Sequence, residues 1–330
     1  MKLQKGDAIG VFSPSVPITV FCPKRTQRAK EFLNSKGYQV IEGSMFGKSD
    51  VYRSGSIKER SDEINQLIHN DHVKCMMSAI GGMNSNSLLP YIDYEAFKKN
   101  PKFVCGYSDV SAILLGIYAK TGITMLYGPA LVASFGEFPP YVDETYDFFE
   151  CIVNGSLELP YEIPHPKYWT DEFIDWESQV GPKERREVKL VTLSKGRATG
   201  RLIGGNLNTM SGIFGTEYMP EIKEGDILLI EDSLIDIATV ERSFAHLKIL
   251  GIFDKVGGII LGKHELFDDK GTNREHYDVL MEVIGETSIP ILAEYNCSHV
   301  HPMITLPIGG TVTLDADKQT VTIESLGKLK

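Results

Sequence analysis

Ser108 lies at a position where a serine side chain could act as a nucleophile. An apolar run from Phe103 to Cys105 leads into Gly106-Tyr107-Ser108, and a helical pattern begins at Asp109. This order predicts a strand, a tight turn and a helix, with the Ser108 hydroxyl at the turn and the first N–H groups of the helix beside it. A hydroxyl in that position needs a base and an orienting acid before it can attack a carbonyl group.

Glu231 and His299 are the candidates for that acid and that base. Glu231 closes the apolar run from Asp226 to Ile230, and His299 lies in the loop after Ile291-Leu292-Ala293. The imidazole would take the proton of the Ser108 hydroxyl and return it to the leaving group. The carboxylate would hold the imidazole in the required tautomer. The nucleophile, the acid and the base therefore come in the order Ser, Glu, His.

Backbone N–H groups near the serine are predicted to bind the oxyanion of a tetrahedral intermediate. The N–H of Asp109 opens the helix and is the expected first donor. Gly81 or Gly82 is the expected second donor, because no Cβ blocks close approach to its backbone. Losing one such donor typically lowers a rate by ~10²–10³-fold.

Other interpretations of these residues stay open. The serine could cap its helix, the carboxylate could form a surface ion pair, and the histidine could be an ordinary hydrogen-bonded loop residue. Val110 stands where the common nucleophile elbow has a glycine, which argues against an ordinary α/β-hydrolase. Alternate histidines in His299-Val300-His301, with His264-Glu265 as further ligands, would fit a metal hydrolase instead.

The elements that must position these residues follow an alternating pattern. Residues 7–130 alternate strand and helix patterns, which predicts a mostly parallel sheet covered on both faces. Right-handed crossovers then place the loops at 81–82 and 106–108 on one edge of that sheet. Residues 155–187 are rich in Pro, aromatic and acidic residues and predict a linker with a long loop. We therefore predict an α/β domain over 1–154, a linker and aromatic loop over 155–187, and a mixed domain over 188–330, which ends in a hairpin.

The composition and net charge argue against some classes of partner and indicate a location. The chain has 330 residues, 42% of them hydrophobic, and a formal net charge of −10, which argues against a nucleic-acid polymer as partner. No apolar run approaches the ~20 residues that a membrane span needs. The N-terminal residues contain no apolar signal core, and the five cysteines are scattered without a CxxC pair. We therefore expect a cytoplasmic protein with reduced thiols.

Four segments of the chain, taken in order, carry a family resemblance: Ile80-Gly81-Gly82-Met83-Asn84-Ser85-Asn86, Gly106-Tyr107-Ser108-Asp109, Leu229-Ile230-Glu231-Asp232 and Ser298-His299-Val300-His301-Pro302-Met303. Together they resemble the LD-carboxypeptidase family of serine peptidases, and more closely its microcin C self-immunity (MccF-like) branch. The likeness extends over essentially the whole chain, from Gly6-Asp7 to the terminal hairpin. The branch is favoured because Ile80 precedes the glycine pair and Met83-Asn84-Ser85 follows it. Members that cleave murein tetrapeptides tend to have Arg and an aromatic residue there.

The resemblance implies two domains with the active site between them. The N-terminal α/β domain would carry the nucleophile Ser108, and the C-terminal, largely β domain would carry the acid Glu231 and the base His299. His301 is the rival base, and His299 is preferred because it lies six residues before Thr305-Leu306-Pro307. The resemblance also implies a homodimer and no metal or organic cofactor. The implied substrate contacts are Trp176, stacking on a nucleobase, then Trp169, the side chains of Asn206 and Asn208, and His301.

These observations together predict a cytoplasmic serine hydrolase that cuts an amide near a free carboxylate. The expected substrate is a processed microcin C-like compound, in which an aminoacyl or peptidyl group is joined to an AMP-like moiety. A first alternative keeps the same chemistry and takes a murein LD-tetrapeptide. A second alternative is a binding protein for small ligands without catalysis. In every case the expected partner is a small molecule, and no membrane or nucleic-acid polymer is expected.

Overall fold

The computed structural model describes residues 1–297 and 299–329, so Ser298 and Lys330 lie outside the described part. In the first half of the chain, strands alternate with helices in the order expected of an α/β domain. The elements are β1 (Ala8–Phe12), α1 (Ile18–Phe21), α2 (Pro23–Ser35), β2 (Gln39–Glu42), α3 (Ile57–His69), β3 (Val73–Ser78), α4 (Tyr94–Lys99), β4 (Phe103–Gly106), α5 (Ser111–Thr121), β5 (Met125–Tyr127) and α6 (Tyr141–Val153).

The second half begins with three two-residue strands and continues with a mixed sheet. Its elements are β6 (Tyr161–Glu162), β7 (Tyr168–Trp169), β8 (Arg186–Glu187), β9 (Val191–Ser194), β10 (Arg197–Asn206), α7 (Leu207–Ser211), β11 (Ile227–Glu231), α8 (Ile237–Ile249), β12 (Gly258–Gly262), α9 (His276–Ile284), β13 (Ile291–Tyr295), β14 (Leu306–Ile308), β15 (Thr311–Asp315) and β16 (Thr320–Ser325). No helix among the described residues is both long and apolar enough to span a bilayer.

The first sheet has the strand order β14-β5-β4-β3-β1-β2, and its strands β2, β1, β3, β4 and β5 run parallel. β1 and β4 are apolar and buried along their whole length, because helices cover both faces of the sheet. The carboxyl ends of β1, β3 and β4 meet at one edge. The loops that start at Ser13, Ala79 and Tyr107 therefore lie next to one another.

The second sheet has the order β6-β16-β15-β10-β11-β12-β13-β9. Its middle strands β10 to β13 run parallel, and antiparallel strands lie on both sides of them. Glu231 is the last residue of β11, and the segment that contains His299 follows β13. The chain then returns to the first sheet, where β14 pairs antiparallel with β5 and Leu306 lies opposite Tyr127.

The predicted fold class is confirmed, with a parallel-sheet α/β half followed by a mixed, largely β half. The helix expected from Asp109 begins as a 3-10 turn over Ser108–Val110 and becomes α-helical at Ser111. β3, which leads to the glycine pair, ends at Ser78, and the sequence patterns did not identify β5, α6 or β14. The domain boundaries at 154 and 187 stay a prediction. β6, which lies within the predicted linker, pairs with β16 of the second sheet.

Candidate active site

Ser108 occupies a strained turn between β4 and α5. Its φ of +62° lies in the left-handed region, which non-glycine residues rarely adopt and which recurs at nucleophile turns. The preceding Gly106 leaves no room for a side chain, because a Cβ there would lie 2.6 Å from Ser78 Oγ and 2.8 Å from Val110 Cγ1. Such strain persists only where the surroundings enforce it. Here the enforced turn leaves Ser108 only half-buried and lining a cavity.

Glu231 is completely buried and accepts three hydrogen bonds. Its Oε2 lies 2.8 Å from His299 Nδ1, and its Oε1 accepts from Tyr127 Oη at 2.5 Å and from Asn206 Nδ2 at 3.1 Å. Burial alone would raise the pKa of Glu231, but the charge of His299 and these hydrogen bonds outweigh it and lower the pKa. The carboxylate is therefore ionised, and Nδ1 of His299 must be its donor.

His299 lies between this carboxylate and the cavity. Its ring packs edge-on against Tyr107, with centroids 4.9 Å apart, and its side chain keeps 13% of its surface exposed. Burial would lower the pKa of His299, but the charge and hydrogen bond of Glu231, together with the Glu265 and Asp232 charges, raise it. Because Nδ1 is bound to Glu231, Nε2 is the nitrogen left to exchange a proton with a cavity-side group.

His301, the rival base, faces a different carboxylate. Its Nε2 lies 3.8 Å from Glu137 Oε2, and the bond between the His301 N–H and the Thr170 carbonyl fixes its backbone. Burial first, and then the Lys183 charge, lower the pKa of His301 to about 3, so its ring is neutral at pH 7. Geometry thus joins Glu231 to His299 and leaves His301 on another part of the cavity wall.

The glycine pair after β3 lies against the serine. A Cβ on Gly81 would be 3.0 Å from Ser108 Oγ and 3.1 Å from the backbone nitrogen of Asp109. Gly82 has a φ of +148°, and a Cβ there would collide with Ser15 Oγ. Only glycine therefore fits at either position. This close approach puts Gly81 and the backbone nitrogen of Asp109 beside the Ser108 hydroxyl, and Gly82 lines the same cavity.

The loop after the glycine pair is fixed by the Asp109 carboxylate and the Ser15 hydroxyl, two groups that the sequence analysis did not consider. Asp109 Oδ2 accepts from the N–H groups of Asn84 at 3.1 Å and Ser85 at 2.9 Å. Ser15 Oγ accepts from the Met83 N–H at 3.0 Å. These hydrogen bonds fix the loop, although it contains no regular strand. The Asp109 carboxylate therefore has a structural role in addition to the role predicted for the Asp109 N–H.

A cavity of about 620 Å³ opens above these residues. Trp176 lines it and receives the guanidinium of Arg25 on one ring face, with the Arg25 Cζ 4.4 Å from the ring centroid. Trp169 is absent from the described lining and packs instead under Lys263, whose Nζ lies 4.4 Å from its ring centroid. The predicted site residues that line the cavity are Gly81, Gly82, Ser108, Asp109, Trp176, Asn206, Asn208, His299 and His301.

Comparisons with known proteins identify the family of this chain. Residues 9–128 match the LD-carboxypeptidase N-terminal domain, and residues 199–314 match the LD-carboxypeptidase C-terminal domain. The chain belongs to the LD-carboxypeptidase family. It is thus a member of a family of serine peptidases, as the sequence segments predicted.

Two relatives and the solved structures of one of them are similar over nearly the whole chain. A Vibrio cholerae protein is 56% identical over 98% of this chain and 96% of its own length. The microcin C7 self-immunity protein MccF of Escherichia coli is 50% identical over 97% of this chain and 94% of its own length. MccF in complex with aspartyl sulfamoyl adenosine superposes with a TM-score of 0.97 over 100% of this chain and 98% of that one. MccF has also been solved with glutamyl sulfamoyl guanosine, with a TM-score of 0.96 over 98% of this chain and 97% of that one.

Within this LD-carboxypeptidase, the two asparagines predicted to contact substrate differ in how far they are engaged. Asn206 Nδ2 donates to Glu231 Oε1 and to Asp232 Oδ1, both at 3.1 Å, and Asn206 Oδ1 accepts from the Thr209 N–H. Asn208 is exposed, with its backbone N–H bonded to Asp232 Oδ2 at 3.2 Å. Asn206 therefore orients the two carboxylates, while the Asn208 side chain is open to the cavity.

The histidines named for a metal site do not converge. His299 faces Glu231 and His301 faces Glu137, while His264 stacks on His276 with ring centroids 4.1 Å apart. Over residues 1–297 and 299–329, no group of three or more His, Cys, Asp or Glu side chains is arranged to hold a metal ion.

Proposed function

We propose that this LD-carboxypeptidase hydrolyses the bond between an aminoacyl or peptidyl group and the nucleotide-like part of a processed microcin C-like compound. The observation that carries the proposal is the His299–Glu231 pair, 2.8 Å apart, on the cavity that Ser108 also lines. The MccF complexes with aminoacyl sulfamoyl nucleosides supply the substrate class. Such hydrolysis would give self-immunity or detoxification.

In the first step, Ser108 Oγ attacks the carbonyl carbon of the acyl group. His299 Nε2 takes the hydroxyl proton as the new C–O bond forms, and Glu231 stabilises the imidazolium through Nδ1. The carbonyl π electrons move to oxygen and form an oxyanion. The N–H groups of Gly82 and Asp109 are the proposed donors to that oxygen, with Gly81 keeping their loop close to the serine.

In the second step, the C–N bond breaks and the acyl group stays on Ser108 as an ester. His299 gives its proton to the departing nitrogen, so the nucleotide-like amide leaves neutral. Water then attacks the ester carbonyl, again with His299 as base, and releases the carboxylic acid and the serine hydroxyl. The reaction consumes one water, and the side chains named supply every proton transfer, so it needs no cofactor.

Trp176 is the proposed platform for the nucleobase. Arg25 covers one face of its indole ring and is itself fixed by hydrogen bonds to Glu137 Oε2 at 3.0 Å and to Gln179 Oε1 at 2.5 Å. The tryptophan also lines the cavity. Stacking of a base on an aromatic ring contributes ~1–3 kcal/mol in nucleic-acid binders. The Ser-Glu-His roles, a cytoplasmic location and a homodimer belong to the same proposal, the last two by family resemblance.

The test uses the purified full chain and a panel of aminoacyl sulfamoyl adenosines that includes the aspartyl compound. We expect release of sulfamoyl adenosine by the wild type and its loss in Ser108→Ala, with ligand binding retained. Ser156→Ala, an exposed serine outside the cavity lining, is the matched control and should keep wild-type turnover.

The same assay separates this function from its alternatives. Release of D-alanine from a murein tetrapeptide, with no cleavage of any adenosine compound, would replace the proposal by murein recycling. Tight binding of an adenosine compound, with neither turnover nor labelling of Ser108 by a serine-directed phosphonate, would identify a binding protein instead.

A further inference from the structure

The cavity has an apolar rim that the proposed chemistry does not use. Met83, Phe173, Leu234 and Leu266 all line it, and their exposed fractions are 79%, 77%, 71% and 38%. Apolar surface gains ~25 cal/mol per Å² when it leaves water, so a cluster of such side chains around one opening marks a contact surface. The rim is therefore suited to an apolar group of the ligand.

Two of these residues are held over the cavity by backbone pairing. Leu234 and Leu266 have φ values of +55° and +48°, which branched side chains seldom adopt. The Leu234 N–H donates to the Glu265 carbonyl at 2.9 Å, and Ser233 pairs with Glu265 in a parallel bridge. The loops after β11 and β12 are thus joined, and the two leucines occupy neighbouring positions on them. Residues in such sparsely populated backbone conformations cluster at functional sites.

The charges inside the rim are unfavourable for a ligand carboxylate. Glu172, Asp232 and Glu265 line the cavity. In the part of the lining that the structure describes, Lys183 is the one Lys or Arg, and its Nζ lies 3.8 Å from Glu137 Oε2. An acidic acyl side chain placed here would meet these three carboxyl groups. The cations nearby are already engaged by buried carboxylates, Lys183 by Glu137 and His299 by Glu231, so little positive charge is left to offset the desolvation of a ligand carboxylate.

We propose that Leu234 and Leu266 determine the acyl specificity of this site, so that it takes apolar aminoacyl groups of the leucyl or methionyl class and rejects aspartyl and glutamyl groups. This inference rests on the proposed function and refines its substrate. The apolar acyl side chain packs against the two leucines while the scissile carbonyl reaches Ser108. The aspartyl and glutamyl ligands of MccF are those of that protein, and they carry the charge that this cavity disfavours.

The experiment compares kcat/KM for leucyl and aspartyl sulfamoyl adenosine, using the purified full chain. We expect the leucyl compound to be favoured by about tenfold or more, the usual range for a side-chain pocket. Leu234→Lys places an ammonium on the rim and should shift the leucyl-to-aspartyl ratio towards aspartyl by about tenfold or more. Leu266→Lys is the second variant, with the same expected direction, in case the first does not fold.

Ile249→Lys is the matched control. Ile249 is apolar, 83% exposed and outside the described cavity lining, so the same change of charge there should leave the ratio unchanged. A wild type that prefers the aspartyl compound would overturn the inference while leaving the proposed function intact. An equal leucyl-to-aspartyl ratio of kcat/KM in Leu234→Lys, Leu266→Lys and Ile249→Lys would also overturn it. Failure to cleave either compound, with folded protein, would instead count against the proposed function.

Discussion

Replacing Tyr127 by phenylalanine tests whether the donors around Glu231 stabilise the folded protein. Tyr127 Oη donates to Glu231 Oε1 at 2.5 Å, and neither side chain is exposed to solvent. Phenylalanine keeps the ring and removes only the hydroxyl, so packing changes little. A hydrogen bond to a charged group contributes ~1.5–3 kcal/mol. We expect the free energy of unfolding to fall by that amount, which is roughly 10- to 150-fold in the folding equilibrium.

The loss of unfolding free energy in Tyr127→Phe should depend on pH in a defined direction. The folded-state pKa of Glu231 is lowered, because the charge of His299 and the hydrogen bonds outweigh the opposing effect of burial. A lowered pKa gives stability that is present above the unfolded value of ~4.3 and is lost as the pH falls through the folded value. Tyr127→Phe raises the folded pKa. The difference from wild type should therefore be full at pH 7 and shrink below about pH 4.

Tyr295→Phe provides the control for this measurement. Tyr295 is also completely buried, but its hydroxyl has no hydrogen-bond partner among the residues described. Removing an unpartnered buried hydroxyl should leave stability unchanged or raise it. Urea unfolding of the wild type and both variants at pH 7 and at about pH 3 gives the comparison. Equal unfolding free energies of the two variants at pH 7 would refute the reasoning.

Three further predictions concern catalysis and binding. The kcat/KM should rise as the pH increases above the ordinary histidine pKa of 6.5, because the raised pKa of His299 keeps its ring protonated there and a protonated ring cannot act as the base. A flat profile from pH 6 to 9 would contradict this. Gly82→Ala should lower kcat by ~10²-fold or more in steady-state assays, because a Cβ collides with Ser15 Oγ and displaces an oxyanion donor, and unchanged kcat would exclude that role. Trp176→Ala should raise KM for an adenosine compound by ~5- to 150-fold, Trp176→Phe should raise it less, and equal KM values would exclude stacking.

The sequence predicted the parts of the site that depend on local order. The strand–turn–helix around Ser108 and the end of an apolar strand at Glu231 are local patterns, and both occur as expected. The Glu231–His299 pair connects residues far apart in the chain. Glu231 ends β11 and His299 follows β13, and both strands belong to the parallel part of the same sheet. Parallel strands bring their carboxyl ends together, so such a meeting can be expected from strand order.

The contacts that sequence reasoning missed depend on non-local pairing. Tyr127 lies in a three-residue strand whose partner strand β14 is far away in sequence, so no local pattern indicates that its hydroxyl reaches Glu231. Asp109 was identified for its N–H, whereas its carboxylate also fixes the loop after Gly82. The two tryptophans of the aromatic loop have similar surroundings in sequence, and only packing separates Trp176 from Trp169.

Two contacts connect the two sheets that carry the candidate catalytic residues, because the chain returns to the first sheet through β14. After His299 the chain enters the first sheet, where β14 pairs antiparallel with β5. Tyr127, which lies in β5, donates a hydrogen bond to Glu231 of the second sheet. Pulling the two sheets apart would break a β-ladder and a buried carboxylate contact at once. A hinge motion that separates the two sheets is therefore opposed by both contacts. A protein nicked within 155–187 should stay in one piece for the same reason.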